Sequence, residues 1–379
     1  MRTPIAWLNL IHEKTRLIVA IAGVAFADIL IFTNLGFLGS LESTSSLVYE
    51  QIDADIYLAS PQALDISTSR SFPIQRIYQV AGVAGVDRIM PMYVGYLQWR
   101  NPETRLNRGI FIFGINPSDP VFSLPEMRSP QNQEALNRWN TVLIDRQSRP
   151  EFGSQETGIT TEMGRRRVTI GGQFTLGGGL STDATLIMSD QNFRRFFKRS
   201  PLNRINLGLI KLEPHVDATQ TAAIIRQLLP PDVAVLTKQQ IIKRDRDFWI
   251  NTTSTGFIFG MGVAVSCLVG VAIVYQVLYT DISNHLKQYA TLKAMGYRGR
   301  YLISIVIQEA IILALLGYIP GLAVSLGIYD LTVRAINLPM YMDLGRATYV
   351  LVLTISMCTV SGLVAVQKVL TADPADVFQ

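Results

Sequence analysis

Four long apolar segments are spread unevenly along this 379-residue chain, and no other feature restricts its fold as strongly. They run over residues 17–38, 255–279, 302–328 and 348–367, and each is at least 20 residues long. A helix rises about 1.5 Å per residue, so each can cross a hydrocarbon core roughly 30 Å thick. The polar stretch 39–254 between the first and second segments is long enough to fold by itself. The spacing therefore predicts an α-helical membrane domain of four transmembrane helices in a 1+3 arrangement. A large α+β extracytoplasmic domain is inserted between helices 1 and 2.

Composition agrees with two regimes in one chain. Hydrophobic residues make up 49% and charged residues 17%, with a mean hydropathy of +0.26. Soluble domains carry about a quarter charged residues. The net charge of +5 gives no reason to expect a nucleic-acid partner, because many basic residues flank the apolar segments, where they act as topology signals. Arg2, Lys14 and Arg16 precede the first segment, Lys287, Lys293, Arg298 and Arg300 separate the second from the third, and Lys368 follows the fourth. In the loop 329–347, Arg334 and Arg346 are offset by Asp330 and Asp343. These charges put both termini in the cytoplasm and 39–254 outside. Small residues at Ala25 and Ala27 resemble a leader-peptide cleavage site, but the apolar run continues to Leu38, which favours a retained helix.

The pass along the chain divides it into a cytoplasmic interfacial helix (1–16), transmembrane helix 1 (17–38), the periplasmic α+β domain (39–254) with a β-rich insertion near 115–204, transmembrane helix 2 (255–279), a cytoplasmic coupling segment (280–301), transmembrane helix 3 (302–328), a short periplasmic loop (329–347), transmembrane helix 4 (348–367) and a cytoplasmic tail (368–379). Within 39–254, strands are predicted at 54–59, 86–99, 109–114, 141–144, 167–174, 184–188, 205–212 and 233–236, and helices at 40–51, 73–80, 218–229 and 238–248. The last of these reads as continuous with transmembrane helix 2, and that helix in turn with Asp281–Tyr289, a run without proline that would act as a stiff rod.

No GxxxxGK[ST] occurs, so the glycine clusters at 171–172 and 177–179 read as bulges or tight turns rather than phosphate loops. Arg165, Arg166 and Arg167 read as a solvated turn. The three histidines and two cysteines show no metal-ligand spacing, and no nucleophile–base pair stands out, so no catalytic or metal site is expected. Asp28 lies inside the first apolar segment, where a charge is expensive, and is expected to make a structural hydrogen bond. Pro320 and Gly321 should kink the third helix.

The segment most suited to meeting a partner follows the second apolar run. Leu286, Tyr289, Leu292 and Met295 recur every three residues as one stripe of a short helix, with Lys293 beside them, Gly296 as a stop and Arg298 beyond. Such a ridge can dock into a groove, although an interfacial helix without a partner has the same pattern.

The run Leu292–Ala310 (LKAMGYRGRYLISIVIQEA) is similar to the signature of MacB/FtsX-type permeases of ABC transporters, and 371–378 (TADPADVF) resembles that family's ending. Segments 145–153 (DRQSRPEFG) and 170–177 (IGGQFTLG) resemble the cyanobacterial DevC-type branch. The resemblance implies a non-catalytic permease subunit without a cofactor of its own, in an inner-membrane homodimer. ATP and Mg would be bound by a separate ABC ATPase. A periplasmic adaptor and a TolC-like outer-membrane channel would complete a tripartite exporter, with glycolipid or another amphiphile as cargo. It also assigns ATPase coupling to Leu286, Tyr289, Leu292, Lys293, Met295, Gly296 and Arg298, and makes Glu309 the motif glutamate, expected to pair with Arg298, Arg300 or a backbone amide. An FtsX-like relay to an envelope enzyme and a lipoprotein-releasing permease are alternatives within the family, and a membrane-anchored sensor lies outside it.

Overall fold

The computed structural model describes residues 14–177, 183–197, 203–285, 288–289, 291, 295, 297–336 and 338–371. They form two units, one built on residues 40–253 and the other on the long apolar helices. The interfacial helix expected at 1–16 falls mostly outside the described residues, as do 178–179 and the tail beyond 371.

The first unit is organised by strands β1 (Ile56–Ala59), β2 (Phe72–Pro73), β3 (Val86–Arg100), β4 (Asn107–Ile115), β5 (Thr141–Asp145), β6 (Thr160–Met163), β7 (Arg166–Phe174), β8 (Thr185–Ser189), β9 (Arg204–Ile205), β10 (Leu207–Leu212) and β11 (Ala234–Thr237). Nine of them pair in the order β11-β1-β10-β3-β4-β8-β5-β7-β6, and β2 pairs with β9. The long β3 holds the unit together. Its first half (86–92) pairs with β10, and its second half (93–100) pairs with β4. At its far end Trp99 lies opposite Met163 of β6, so β3-β4-β8-β5-β7-β6 returns to β3 as a ring.

Period-2 alternation sends successive side chains to opposite faces of the sheet. Ile56 and Leu58 enter one buried cluster with Phe72, Ile77 and Ile210, while Tyr57 and Ala59 enter another with Tyr49, Met90 and Leu209. Trp99 is fully buried and donates its indole N–H to the Phe152 carbonyl at 3.0 Å. Gly171 falls at the shift in β5–β7 register between Val142 and Leu143, so the bulge reading of that glycine pair holds. Arg165, at φ +66° after Gly164, forms the turn between β6 and β7.

Helices in this unit are α2 (Gln75–Gln79), α3 (Pro130–Asn137), α4 (Asp190–Phe196), α5 (Ala218–Leu228) and α6 (Lys238–Asp247), with the last residues of α1 (Lys14–Gln51) joining its core. Two of these, α3 and α4, lie where the sequence pattern predicts none. Ser129 and Ser189 cap them, each hydroxyl accepting from the backbone N–H three residues on.

Two predicted continuities fail. The strand expected over 205–212 is interrupted at Asn206, whose Oδ1 accepts from the Val94 amide and so competes with ladder pairing. The rod expected from Lys238 through the second apolar segment is also broken. After α6 comes a π-turn (Phe248–Thr252), and Thr253 is extended at φ −82° and ψ 150° before α7 (Ser254–Asn284) begins. The Thr253 hydroxyl bonds the Trp249 carbonyl at 2.6 Å. β-branched residues with a hydroxyl that competes for the backbone disfavour an uninterrupted helix there.

The second unit comprises α1, α7, α8 (Gly299–Ile336) and α9 (Leu344–Thr371), four helices long and apolar enough to cross a membrane. At 38 residues α1 is about 57 Å long, well beyond a bilayer core. Gly317 and Gly321 of α8 form a small-xxx-small pair against α1. A Cβ on Gly321 would lie 2.9 Å from Asp28 Cβ and 3.2 Å from the Ala25 carbonyl oxygen. Close backbone approach through small residues holds helices together where both solvent and core are apolar.

Candidate functional site

The chemistry the sequence singles out lies at two places in the helical unit. The first is the stretch joining α7 to α8. Asp281 and His285 are buried at the end of α7, with His285 Nδ1 3.0 Å from the Asp281 carbonyl and 3.5 Å from its Oδ1. Arg16 of α1 donates to the Asn284 side-chain oxygen, tying the two helix ends together. Tyr289 is 3% exposed and packs in a cluster that includes Ala20, Leu278, Ile282, Ile305 and Val306.

That burial alters the expected ridge. Tyr289 faces its own helices, whereas Met295, on the same predicted stripe, is 63% exposed. Leu286, Leu292, Lys293 and Gly296 lie outside the described residues. Past Met295 the surface is aromatic and cationic. Tyr297 stacks on Tyr301 with ring centroids 4.9 Å apart, both rings are exposed, and Arg298 and Arg300 are exposed between them. Periodicity finds the apolar members of this stretch but misses the Tyr297–Tyr301 pair. Their i, i+4 spacing was the available signal. Glu309 is fully buried in α8, ten residues after its first.

The second place is Asp28, fully buried in α1. Thr354 of α9 donates to its Oδ1 at 2.6 Å, and Oδ2 has no hydrogen-bond partner among the described residues. The expected structural hydrogen bond is present, and it joins α1 to α9 beside the point where Gly321 brings α8 against α1. Nearby, Ser361 of α9 donates to the Val271 carbonyl of α7 at 2.9 Å. A proline interior to α8, Pro320, removes one helical donor next to Gly321. Among the described residues no group of His, Cys, Asp and Glu is arranged to hold a metal ion.

Comparison with known proteins agrees with this geography. Residues 260–374, which take in most of α7 and all of α8 and α9, match the family described as FtsX-like permease C-terminal. Two proteins of Mycobacterium tuberculosis, from strains CDC 1551 / Oshkosh and ATCC 25618 / H37Rv, are described as uncharacterized ABC transporter permeases. Each is 24% identical to this chain, with 97% of this chain and 96% of the relative covered. Among solved structures, the periplasmic region of MacB from Actinobacillus actinomycetemcomitans matches at 12% identity and a TM-score of 0.37, covering 54% of this chain and 96% of that one. The extracellular domain of the transporter YknZ from Gram-positive bacteria matches at 14% identity and a TM-score of 0.35, covering 48% and 99%. The C-terminal helices are similar to FtsX-like permease domains, and the chain is similar along almost its whole length to ABC transporter permeases.

Proposed function

We propose that this chain is the membrane subunit of an ATP-driven permease of the MacB/FtsX type, without catalysis of its own and driven by a separate ATPase. The observation that carries the reading is the coincidence of the permease match over 260–374 with an exposed aromatic and cationic surface of Met295, Tyr297, Arg298, Arg300 and Tyr301, between two long apolar helices. That surface would be the docking point, with both termini and this stretch in the cytoplasm of a multi-pass inner-membrane protein. The chain would act as a homodimer, and ATP with its Mg would sit in the ATPase.

The buried residues of the same stretch suit transmission. Tyr289, His285 and Asp281 root it in the ends of α1, α7 and α8, so a push on Met295 or Tyr297 would reach the bundle rather than be lost in a loose loop. With Thr253 extended, α6 and α7 do not form the single continuous helix that a rigid rod would need. In the finer form of the proposal, the sheet unit works with a periplasmic adaptor and a TolC-like channel, as in DevC-type systems, with glycolipid or another amphiphile as cargo.

The test is reconstitution of the full chain with its ATPase in lipid nanodiscs, with and without the adaptor. The proposal expects ATP hydrolysis to rise several-fold when the chain is present. Hydrolysis indifferent to the chain would refute it.

A further inference from the structure

A pocket in the sheet unit is lined by three arginines, two of which, Arg194 and Arg204, are held by neutral groups. It has a volume of about 260 Å³, and its walls include Arg70, Arg194, Arg204, Tyr93, Phe193 and Asn206. Among the described residues no carboxylate lines it. Arg204 donates through Nε to the Ser71 hydroxyl at 2.9 Å and through a second nitrogen to the Ser71 carbonyl. Arg194 donates to the Tyr93 hydroxyl at 2.7 Å and lies 5.5 Å from the centre of that ring. Among the described residues one acid pairs with these guanidinium groups: Asp190, on the preceding turn of α4, 3.7 Å from Arg194. Arg70 makes no hydrogen bond or ion pair among the described residues.

This arrangement aims positive charge and leaves most of it uncancelled, Asp190 offsetting one of the three arginines. Hydroxyls and a carbonyl fix the orientation of Arg194 and Arg204, so their remaining N–H donors are preorganised at little further entropic cost. Phe193, at 2% exposure, and Val94 form an apolar floor that weakens screening beneath the charges. A guanidinium fork matches the oxygens of a phosphoryl group, and three cations against one carboxylate favour an anion with more than one charge. The volume falls below the roughly 300–1,000 Å³ of sites that enclose a whole drug-sized ligand, which suits a headgroup or a free anion.

We infer that the pocket between Ser71, Tyr93, Arg194 and Arg204 is a phosphate-binding site, filled by inorganic phosphate or by the phosphate of a lipid headgroup. It lies wholly in the sheet unit and stands whether or not the transport reading holds.

The experiment titrates the full chain, in phosphatidylcholine nanodiscs, with inorganic phosphate and separately with dihexanoyl phosphatidic acid, by calorimetry. Saturable one-site binding is expected for at least one probe. Arg70→Gln and Arg194→Gln should each weaken it at least ten-fold, and Arg195→Gln, whose guanidinium packs over Trp139 instead, should not. Because Arg70 is exposed and makes no hydrogen bond or ion pair among the described residues, Arg70→Gln keeps the test valid if Arg194→Gln unfolds the chain. Phosphatidic acid binding at least ten-fold tighter than phosphate identifies a headgroup site, and equal affinity identifies free phosphate. The proposal is overturned if neither probe saturates, or if Arg70→Gln binds as the parent does. It is also overturned if the variants lose an acidic partner protein while phosphate never binds.

Discussion

Asp245 offers a quantitative test of how the sheet unit is closed. Its carboxyl is 1% exposed, its Oδ2 accepts from the Tyr49 hydroxyl at 2.6 Å and from the Ile66 amide at 2.9 Å, and its Oδ1 finds no partner among the described residues. Burial pushes its pKa up to about 7, against the pull of those two hydrogen bonds. In the unfolded chain the group titrates near 3.8. Between these values the folded state keeps a proton that the unfolded state releases, so stability falls as pH rises through the window and is flat above it. A shift of this size corresponds to about 4 kcal/mol in total, at roughly 1.4 kcal/mol per pH unit. Asp245→Asn replaces the acid by a neutral group of the same shape that still accepts from Tyr49. The variant should match the parent near pH 4 and exceed it by about 4 kcal/mol at pH 8. Hydrogen exchange at the Ile66 amide, corrected for intrinsic rates, reads this locally. Protection in the parent should fall between pH 5 and 7.5, and the Asn variant should lack that slope. An unchanged slope in Asp245→Asn would refute the assignment of the proton to this carboxyl.

Other expectations follow from the packing. Gly321→Val drives a side chain into Asp28 and the Ala25 carbonyl of α1, where backbone cannot give way, and should lower stability by about 1–3 kcal/mol, read as a fall in the detergent melting temperature. Thr354→Val removes the donor to Asp28 and should destabilise by about 1–3 kcal/mol, while Asp28→Asn keeps a partner for Thr354 and should change the melting temperature little. Trp99→Ala empties the place where β3 meets β6 and should destabilise the sheet unit by about 3–5 kcal/mol, seen as a lower urea midpoint. Proline inserted at Val265, inside α7, should leave assembly intact by size-exclusion chromatography but abolish the coupling of hydrolysis to transport.

What the sequence reveals of this molecule follows the range of the forces involved. The four apolar helices are legible because length and hydropathy suffice to define them. Ile56, Leu58 and Tyr57 are legible because alternation assigns each to a face before any partner is known. Helices α3 and α4 escape periodicity at eight and seven residues, although Ser129 followed by Pro130 is a start signal in plain view. The ring closed by Trp99 and Met163 joins residues 64 apart, and nothing local specifies it. The break at Thr253 is written in the run Asn251-Thr252-Thr253-Ser254, but the absence of proline hides it from a search for helix breakers. In the stretch between α7 and α8, an apolar stripe cannot say which members turn inward. Tyr289 does so because α1 and α8 offer it a cluster, a tertiary fact with no trace in its spacing.

The account rests on an ATP-hydrolysing partner gripping the stretch between α7 and α8. Photo-crosslinking residues placed at Met295 and Tyr297 of the full chain, in membranes that also hold the ATPase, test this directly. A crosslink to the ATPase from both positions, and none from Arg165 in the β6–β7 turn, is the predicted result. Crosslinking from Arg165 alone, or from none of the three, would contradict it.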